Sequence, residues 1–391
     1  MFTVKASLVF LLLLAAGIAR CQTGVSLAGK VIDAANNKPL PNCSVYLNNT
    51  SIGTVTREDG AFLLKNLPRG RADLIVSAVG YATYVLHLRS DSLPKDLQIR
   101  LRQNVVELSA FTVESYMKDG WKQWGKFFLE NFIGNTDNAA SCKLVNFKAL
   151  RFHYLKRSRR LTVSATEPLI IRNKALGYEL RYQLEHFSYE EDTHIIFYQG
   201  YPLFRELSTQ REEIRQRWVE RRKKAYLGSM NHFIQSLYRD QAPENGFLLE
   251  HSILVCNKEK QRVKQVYDPN AAVGTYSRDS LYYYWRIVKE ADSLTQTARL
   301  NVSELVSRGR GTGGARILSF KGLLTVKYYY QREPPPGDYW ESHLTLMNAE
   351  AVEIQEDGGY FPTEDLLAEG HWAQSEKICN LLPLDYLPTQ R

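Results

Sequence analysis

Long apolar runs are missing from this sequence beyond its first twenty residues. No later segment approaches the roughly 18 apolar residues that a membrane-crossing helix needs. The familiar catalytic signatures are missing as well. None of the eight histidines (positions 87, 153, 186, 194, 232, 251, 343 and 371) has a glutamate three residues later, and HExxH and GxSxG are absent. These gaps disfavour the common zinc-peptidase and α/β-hydrolase sites. No Walker A sequence is present. Cysteine is scarce, with five in all. Cys43, Cys142, Cys256 and Cys379 are too widely spaced for a metal knuckle or a redox CxxC. In an oxidising compartment one or two disulfides or four free thiols are equally open. With 14 prolines and 24 glycines the chain is close to the globular average, which excludes collagen-like and low-complexity architectures.

What is present suits a folded, β-rich protein of two domains. Of 391 residues, 44% are hydrophobic and 12% aromatic, with 23 tyrosines, enough for a substantial core. Lys5 opens the chain with positive charge, residues 8–19 form an apolar run, and Ala19 and Cys21 occupy the −3 and −1 places for cleavage before Gln22. A helix of that run would span only about 18 Å against a hydrocarbon core of about 30 Å, so residues 1–21 are expected to be a cleaved secretory signal. Arg20, directly before Cys21, speaks against a lipoprotein signal. Without Lys5 and Arg20 the net charge falls from +8 to +6. An exported basic chain meets anionic envelope polymers or lipid headgroups rather than nucleic acid.

Residues 24–105 read as a β-sandwich of about seven short strands, with turns every 8–12 residues. Val25, Leu27, Gly29 and Val31 alternate along the first strand. Glu58-Asp59-Gly60 forms a tight turn in which Gly60 takes positive φ and Asp59 hydrogen-bonds its own backbone. Within this stretch stand Gly29-Lys30-Val31-Ile32-Asp33, Pro39-Leu40, Thr56-Arg57-Glu58-Asp59-Gly60-Ala61-Phe62 and Ser77-Ala78-Val79-Gly80-Tyr81. The pattern resembles the carboxypeptidase regulatory-like domain, a transthyretin-like sandwich related to carbohydrate-binding folds. The resemblance implies no peptidase residues. It does imply an exported Gram-negative protein, periplasmic or on the cell surface, in which the sandwich precedes another envelope module. The motif residues Asp59, Gly60, Gly80 and Tyr81 are read as turn and corner residues, not as a ligand site.

Residues 106–391 are expected to form an uncharacterised α+β domain with a large antiparallel sheet and a long helix. Trp121, Trp124, Phe128 and Phe132 follow helical spacing, as a helix docking on the domain or lying on a membrane surface would. The long helix is predicted over 209–240, with Thr209 to Glu212 as a capping box and Val219, Tyr226, Met230, Phe233 and Leu237 on its buried face. Arg211 to Lys224 carries seven basic residues against three glutamates, a solvated face or a docking surface for an anionic partner. Strands are predicted at 144–155, 160–165, 178–187, 194–198, 247–255, 262–267, 280–288, 315–330 and 343–354. The phrases 168–173, 176–178, 198–204, 218–233 and 382–388 resemble an uncharacterised module that follows this sandwich in other envelope proteins.

Two constellations call for a chemical test. Gly309, Gly311 and Gly314 satisfy GxGxxG, but a dinucleotide loop must open a helix, and the residues that follow read as strand. A hairpin loop is therefore expected. His186, Glu190, Glu191 and His194 could gather at a hairpin, where two histidines and a carboxylate would suit a divalent ion. No catalytic, cofactor-binding or metal residue is assigned, and no cofactor is expected. The leading function is a non-catalytic envelope protein that binds a glycan or another envelope protein. The alternatives are an envelope-polymer hydrolase with its active site in residues 115–391 and an outer-membrane β-barrel.

Overall fold

The computed structural model describes residues 25–104, 116–272, 274–309, 314–330 and 338–388. Residues 1–21, expected to be the secretory signal, most of the expected 309–314 hairpin loop and residues 389–391 lie outside the described residues. The chain is mainly β: 22 strands accompany seven α-helices among the described residues. It divides into two compact units, one of residues 25–48 and 52–104, the other of 49–51 and 116–388. None of the five sheets found among the described residues closes on itself.

The first unit is a seven-stranded sandwich. Its strands are β1 (Val25–Asp33), β2 (Ser44–Leu47), β3 (Gly53–Val55), β4 (Ala61–Leu67), β5 (Arg71–Ser77), β6 (Tyr84–Arg89) and β7 (Leu97–Leu101). One sheet has the order β4-β1-β7 and the other β3-β2-β5-β6. Alternation works as the sequence suggests: Leu27 and Val31, with Leu64 and Ile99 of their own sheet, pack on Val45 and Leu74 of the other, each almost fully buried. Gly60 takes φ 75°, and Asp59 Oδ1 accepts the Ala61 amide at 3.0 Å. The corner at Tyr81 is a bond between motif residues, its hydroxyl donating to Asp33 Oδ2 at 2.8 Å. Asp33 also accepts the Ala35 amide at 2.7 Å, and with Tyr81 this holds its carboxyl below the usual range.

The second unit has two cores. The first lies on the sheet of β8 (Cys142–Leu144), β9 (Leu150–Leu155), β10 (Arg160–Ala165), β11 (Leu169–Asn173), β12 (Tyr178–Glu190) and β13 (Ile195–Glu206). β12 is its spine: β13 pairs along one edge, while β11 and then β10 share the other. Helix α1 (Gly120–Phe132) lays its aromatic stripe on this sheet. Phe128 and Phe132 are fully buried, and Trp121, Trp124 and Phe127 stack on Phe147, Tyr154 and Tyr189. With its aromatic face covered by protein, α1 is a core helix and not a membrane-surface one. The predicted 144–155 strand is interrupted by a turn of 3₁₀ helix at Phe147–Ala149.

The helix predicted over 209–240 is two helices, α2 (Glu212–Tyr226) and α3 (Met230–Tyr238). Gly228 breaks it. Its φ is 77°, and a Cβ there would lie 2.6 Å from the Tyr328 ring. Ser229 then caps α3, its hydroxyl accepting the His232 amide at 3.1 Å. The capping box at Thr209 is likewise corrected: Thr209 Oγ1 accepts the Arg211 amide, and α2 starts after Arg211 with no side-chain cap. Tyr226, Met230, Phe233 and Leu237 are buried as expected, but Val219 is exposed and Trp218 is buried in its place.

The second core packs α3 against the sheet β15-β14-β18-β19-β22 and the smaller sheet β16-β17-β20-β21. These strands are β14 (Phe247–Cys256), β15 (Ser293–Arg299), β16 (Val306–Arg308), β17 (Arg316–Leu318), β18 (Leu323–Tyr328), β19 (Trp340–Leu346), β20 (Val352–Ile354), β21 (Tyr360–Phe361) and β22 (Leu366–Gly370). Between β14 and β15 the segments predicted as strands at 262–267 and 280–288 are the helices α4 (Lys258–Val266) and α5 (Arg278–Lys289). Side-chain caps override the β preference of the tyrosine run. Asn257 Oδ1 accepts the Lys260 amide at 3.0 Å, and Ser277 Oγ accepts the Ser280 amide at 3.1 Å. The two last helices are α6 (Val302–Leu305) and α7 (His371–Ser375).

The turn between β11 and β12 is buried, so each of its polar groups needs a partner. Asn173 is fully buried and supplies three: Oδ1 accepts the Ala175 and Leu176 amides at 3.1 Å, and Nδ2 donates to the Cys379 carbonyl at 2.8 Å. Trp218 Nε1 donates to the Lys174 carbonyl at 2.9 Å and Arg222 Nε to the Leu176 carbonyl at 2.7 Å. The Trp218 indole lies against Gly177, where a Cβ would come within 2.3 Å of it. Asn173→Ala strips this turn of its partners and is expected to destabilise the protein by about 2–5 kcal/mol, with Asn173→Asp recovering part of the loss. Urea unfolding followed by tryptophan fluorescence measures it.

Candidate functional site

The structure does not gather His186, Glu190, Glu191 and His194 into a metal-binding group. His186 and Glu190 share a face of β12, four residues and therefore about 13 Å apart along the strand. Glu190 pairs with Arg160, and Glu191 and Asp192 pair with Arg159 at 3.2 and 2.8 Å. His194 Nδ1 lies 3.1 Å from the Tyr189 hydroxyl. Each carboxylate thus already faces an arginine, and among the described residues no three His, Cys, Asp or Glu side chains gather into a metal-binding group. Around the GxGxxG residues, β16 and β17 pair as an antiparallel hairpin, so the strand–loop–helix context of a dinucleotide loop is missing. The four cysteines beyond residue 21 are thiols; Cys43 and Cys379 are buried and Cys256 exposed.

The basic run on α2 divides by role. Arg222 is inside the fold: it stacks 3.9 Å over the Tyr178 ring and pairs with Glu206 at 2.6 Å. Arg221 donates to Asn138 at 3.3 Å, and Lys224 faces Asp137 at 3.8 Å. Arg215 pairs with Glu212 at 2.8 Å. Much of the charge read as a docking surface therefore holds α2 in place or pairs along it.

An aromatic shelf at one end of the β14–β18–β19 sheet has the geometry of a binding surface. Strict alternation along β18 and β19 turns Leu324, Val326 and Leu344 into the core. On the same face the last cross-strand pair is Tyr328 opposite Trp340, where the core meets solvent. Tyr328 is buried, while Trp340 is 37% and Tyr330 61% exposed. His371, the first residue of α7, lies flat against Trp340 with ring centroids 4.4 Å apart and planes at 16°. Tyr330 adds a third ring 6.3 Å from Trp340. Burial holds the His371 imidazole below its ordinary pKa, so the stack is a neutral apolar surface at pH 7. Sequence reading did not flag these three residues. The signal was the pairing of Tyr328-Tyr329-Tyr330 with Tyr339-Trp340 on either side of a proline-rich stretch.

The opposite face of this sheet carries a charged network. Lys327 pairs with Glu250 at 2.7 Å and approaches Glu341 at 4.0 Å; His343 lies 3.5 Å from Glu341 and 3.1 Å from Thr325. Glu250 raises the Lys327 pKa, which keeps the ammonium charged and unsuited to nucleophilic chemistry.

Two titrating groups, buried His232 and half-buried Glu376, each accept a backbone amide at the start of α3. His232, packed between Tyr226 and Phe247 with Nδ1 accepting the Gly228 amide at 3.1 Å, is pushed by burial down to about 4. Glu376 accepts the Met230 amide at 3.2 Å and is pushed by burial up to about 7. Their linkage to stability has opposite sign. The His232 contribution is complete above pH 6.5 and lost as pH falls toward 4; that of Glu376 is complete below pH 4.5 and lost as pH rises toward 7. The two slopes offset between them. Glu376→Gln removes one, and the variant is expected to gain on the wild type as pH rises from 4.5 to 7, by at most about 1.4 kcal/mol per pH unit. Denaturant melts across this range check it; a difference independent of pH would contradict it.

Comparison with solved structures yields distant likenesses. A type II cohesin–X-dockerin complex from Acetivibrio cellulolyticus is 20% identical over 20% of this chain and 57% of that one, with a TM-score of 0.17. A Bacteroides fragilis protein of unknown function, provisionally described as membrane-associated, is 10% identical over 84% of this chain and 92% of that one, TM-score 0.16. A 9R-lipoxygenase from Cyanothece PCC8801 is 9% identical over 57% of this chain and 49% of that one, TM-score 0.18. At such scores none carries a functional argument. Comparison with curated proteins gives no match. A family model does match, over residues 27–113, and it coincides with the sandwich, its Asp59-Gly60 turn and its Asp33–Tyr81 corner. The first unit is a CarboxypepD_reg-like domain.

Proposed function

We propose that this is an exported, non-catalytic protein of the Gram-negative cell envelope, organised as a signal at 1–21, the sandwich at 24–105 and a ligand-binding module at 106–391. The observation that carries the binding role is the shelf of Tyr330, Trp340 and His371. A neutral, solvent-exposed aromatic surface matches the apolar face of a sugar ring. A glycan of the envelope is therefore the favoured ligand, with another envelope protein as the runner-up. The export signature and the kinship of such sandwiches to carbohydrate-binding folds support the same reading.

The competing reading, hydrolysis of an envelope polymer, has one observation in its favour: Glu376 holds its proton near neutrality, as a general acid must. That carboxyl, however, binds the first amide of α3 and owes its shift to burial, which a structural role explains in full. The binding reading is tested by titrating purified envelope glycans against the protein and its Trp340→Ala variant by calorimetry. A saturable isotherm weakened by roughly tenfold or more in the variant is expected. No binding across the glycans, or turnover lost in Glu376→Gln, would sink it.

A further inference from the structure

The helical pair inserted between β14 and β15 presents a second surface, independent of the aromatic shelf. Helix α5 buries Ile287 and turns Tyr283 toward α4, where its hydroxyl bonds Glu259. Its other face stays open: Leu281 is 41%, Tyr282 67% and Trp285 52% exposed. Leu281 and Tyr282 stand four and three residues before Trp285, so the three form one stripe, with Arg278 and Lys289 at its ends by the same spacing. The Lys289 ammonium lies 3.6 Å over the Trp285 ring, and Arg286 is exposed beside it.

Charge distribution narrows the occupant. Residues 257–292 hold seven basic and five acidic side chains. Of the acids, Glu259 is bound by Arg262 and Tyr283, Asp292 by Lys260 and Lys264, and Glu290 by Asn257. This leaves Arg278, Arg286 and Lys289 against Asp279 at the start of the helix and Asp268, which accepts the Asn270 amide in the α4–α5 connection. A second copy of the chain docked by the same face would set these cations against their own equivalents. A negatively charged plane with an apolar interior complements them instead. Helix α5 spans 12 residues, or about 18 Å, too short to cross a bilayer of about 30 Å but suited to lying in its interface. Tyrosine and tryptophan settle at headgroup depth while arginine and lysine reach the lipid phosphates.

We propose that the α4–α5 insertion docks the protein on an anionic lipid surface through Leu281, Tyr282 and Trp285, with Arg278, Arg286 and Lys289 contacting the phosphates. The test is sedimentation of the full chain with vesicles of equal parts phosphatidylglycerol and phosphatidylcholine, and with phosphatidylcholine alone. Binding to the anionic vesicles only is expected, falling steeply between about 50 and about 500 mM salt. Tyr282→Ser with Trp285→Ser should reduce it by roughly tenfold or more, and Arg286→Glu with Lys289→Glu comparably. All four positions are exposed, and unchanged thermal melts separate lost docking from lost folding. Equal binding to both vesicles, no binding, or binding that survives both double variants would overturn the proposal. So would concentration-dependent dimerisation abolished by the serine variant without vesicle binding.

Discussion

The second unit depends on a turn that is buried but for the Lys174 side chain. Asn173 to Gly177 lies between two strands of the central sheet, and a buried turn is tolerated only where every amide and carbonyl finds a partner. Those partners come from far along the chain: Trp218 and Arg222 from α2, and the backbone of Cys379 near the C-terminus. Satisfying one turn therefore fixes the place of α2 on the sheet and draws the closing segment beneath it. Phrases that look unrelated in the sequence, at 168–173, 176–178 and 218–233, are parts of this one arrangement.

The same economy governs the charges. Arginines at 159, 160, 172, 205 and 222 pair with carboxylates on the sheet that they border, so this part of the positive charge serves the fold. Helix α5 combines exposed cations with exposed apolar side chains. Exposed aromatic groups, not clustered acids and bases, are the unusual feature of the solvent-facing molecule.

The legible parts of the sequence were those whose rules are local. Alternation and turns at 8–12-residue spacing mark the strands of the sandwich, although β1 pairs with β4 and β7 and β2 with β5 across long stretches of sequence. The stripe of Trp121 to Phe132 was readable for the same reason. Tertiary effects hid the rest. Gly228 looks like an interior glycine until the Tyr328 and Trp340 rings occupy the space where a side chain would stand. The run Tyr282-Tyr283-Tyr284-Trp285 favours a strand by propensity, but Ser277 at its head and the Tyr283–Glu259 bond to α4 make it a helix. The shelf was hidden because Trp340 and His371, on different elements, meet only when β22 pairs with β19.

Perturbed acidity is the usual pointer to catalysis, and here each large shift has a structural cause. His232 is neutral because it is buried in an aromatic core; Glu376 retains a proton because burial outweighs its bond from the Met230 amide, which pulls the other way. Neither is paired with a nucleophile by any contact at that helix start. A site for chemistry would need its shifted groups to converge on a substrate, whereas these converge on the protein's own backbone. Trp340 is different: backed by Tyr328 and His371, it keeps part of its ring open to solvent at some cost in unburied apolar area. The proposed binding role rests on that open ring and not on either shifted acid.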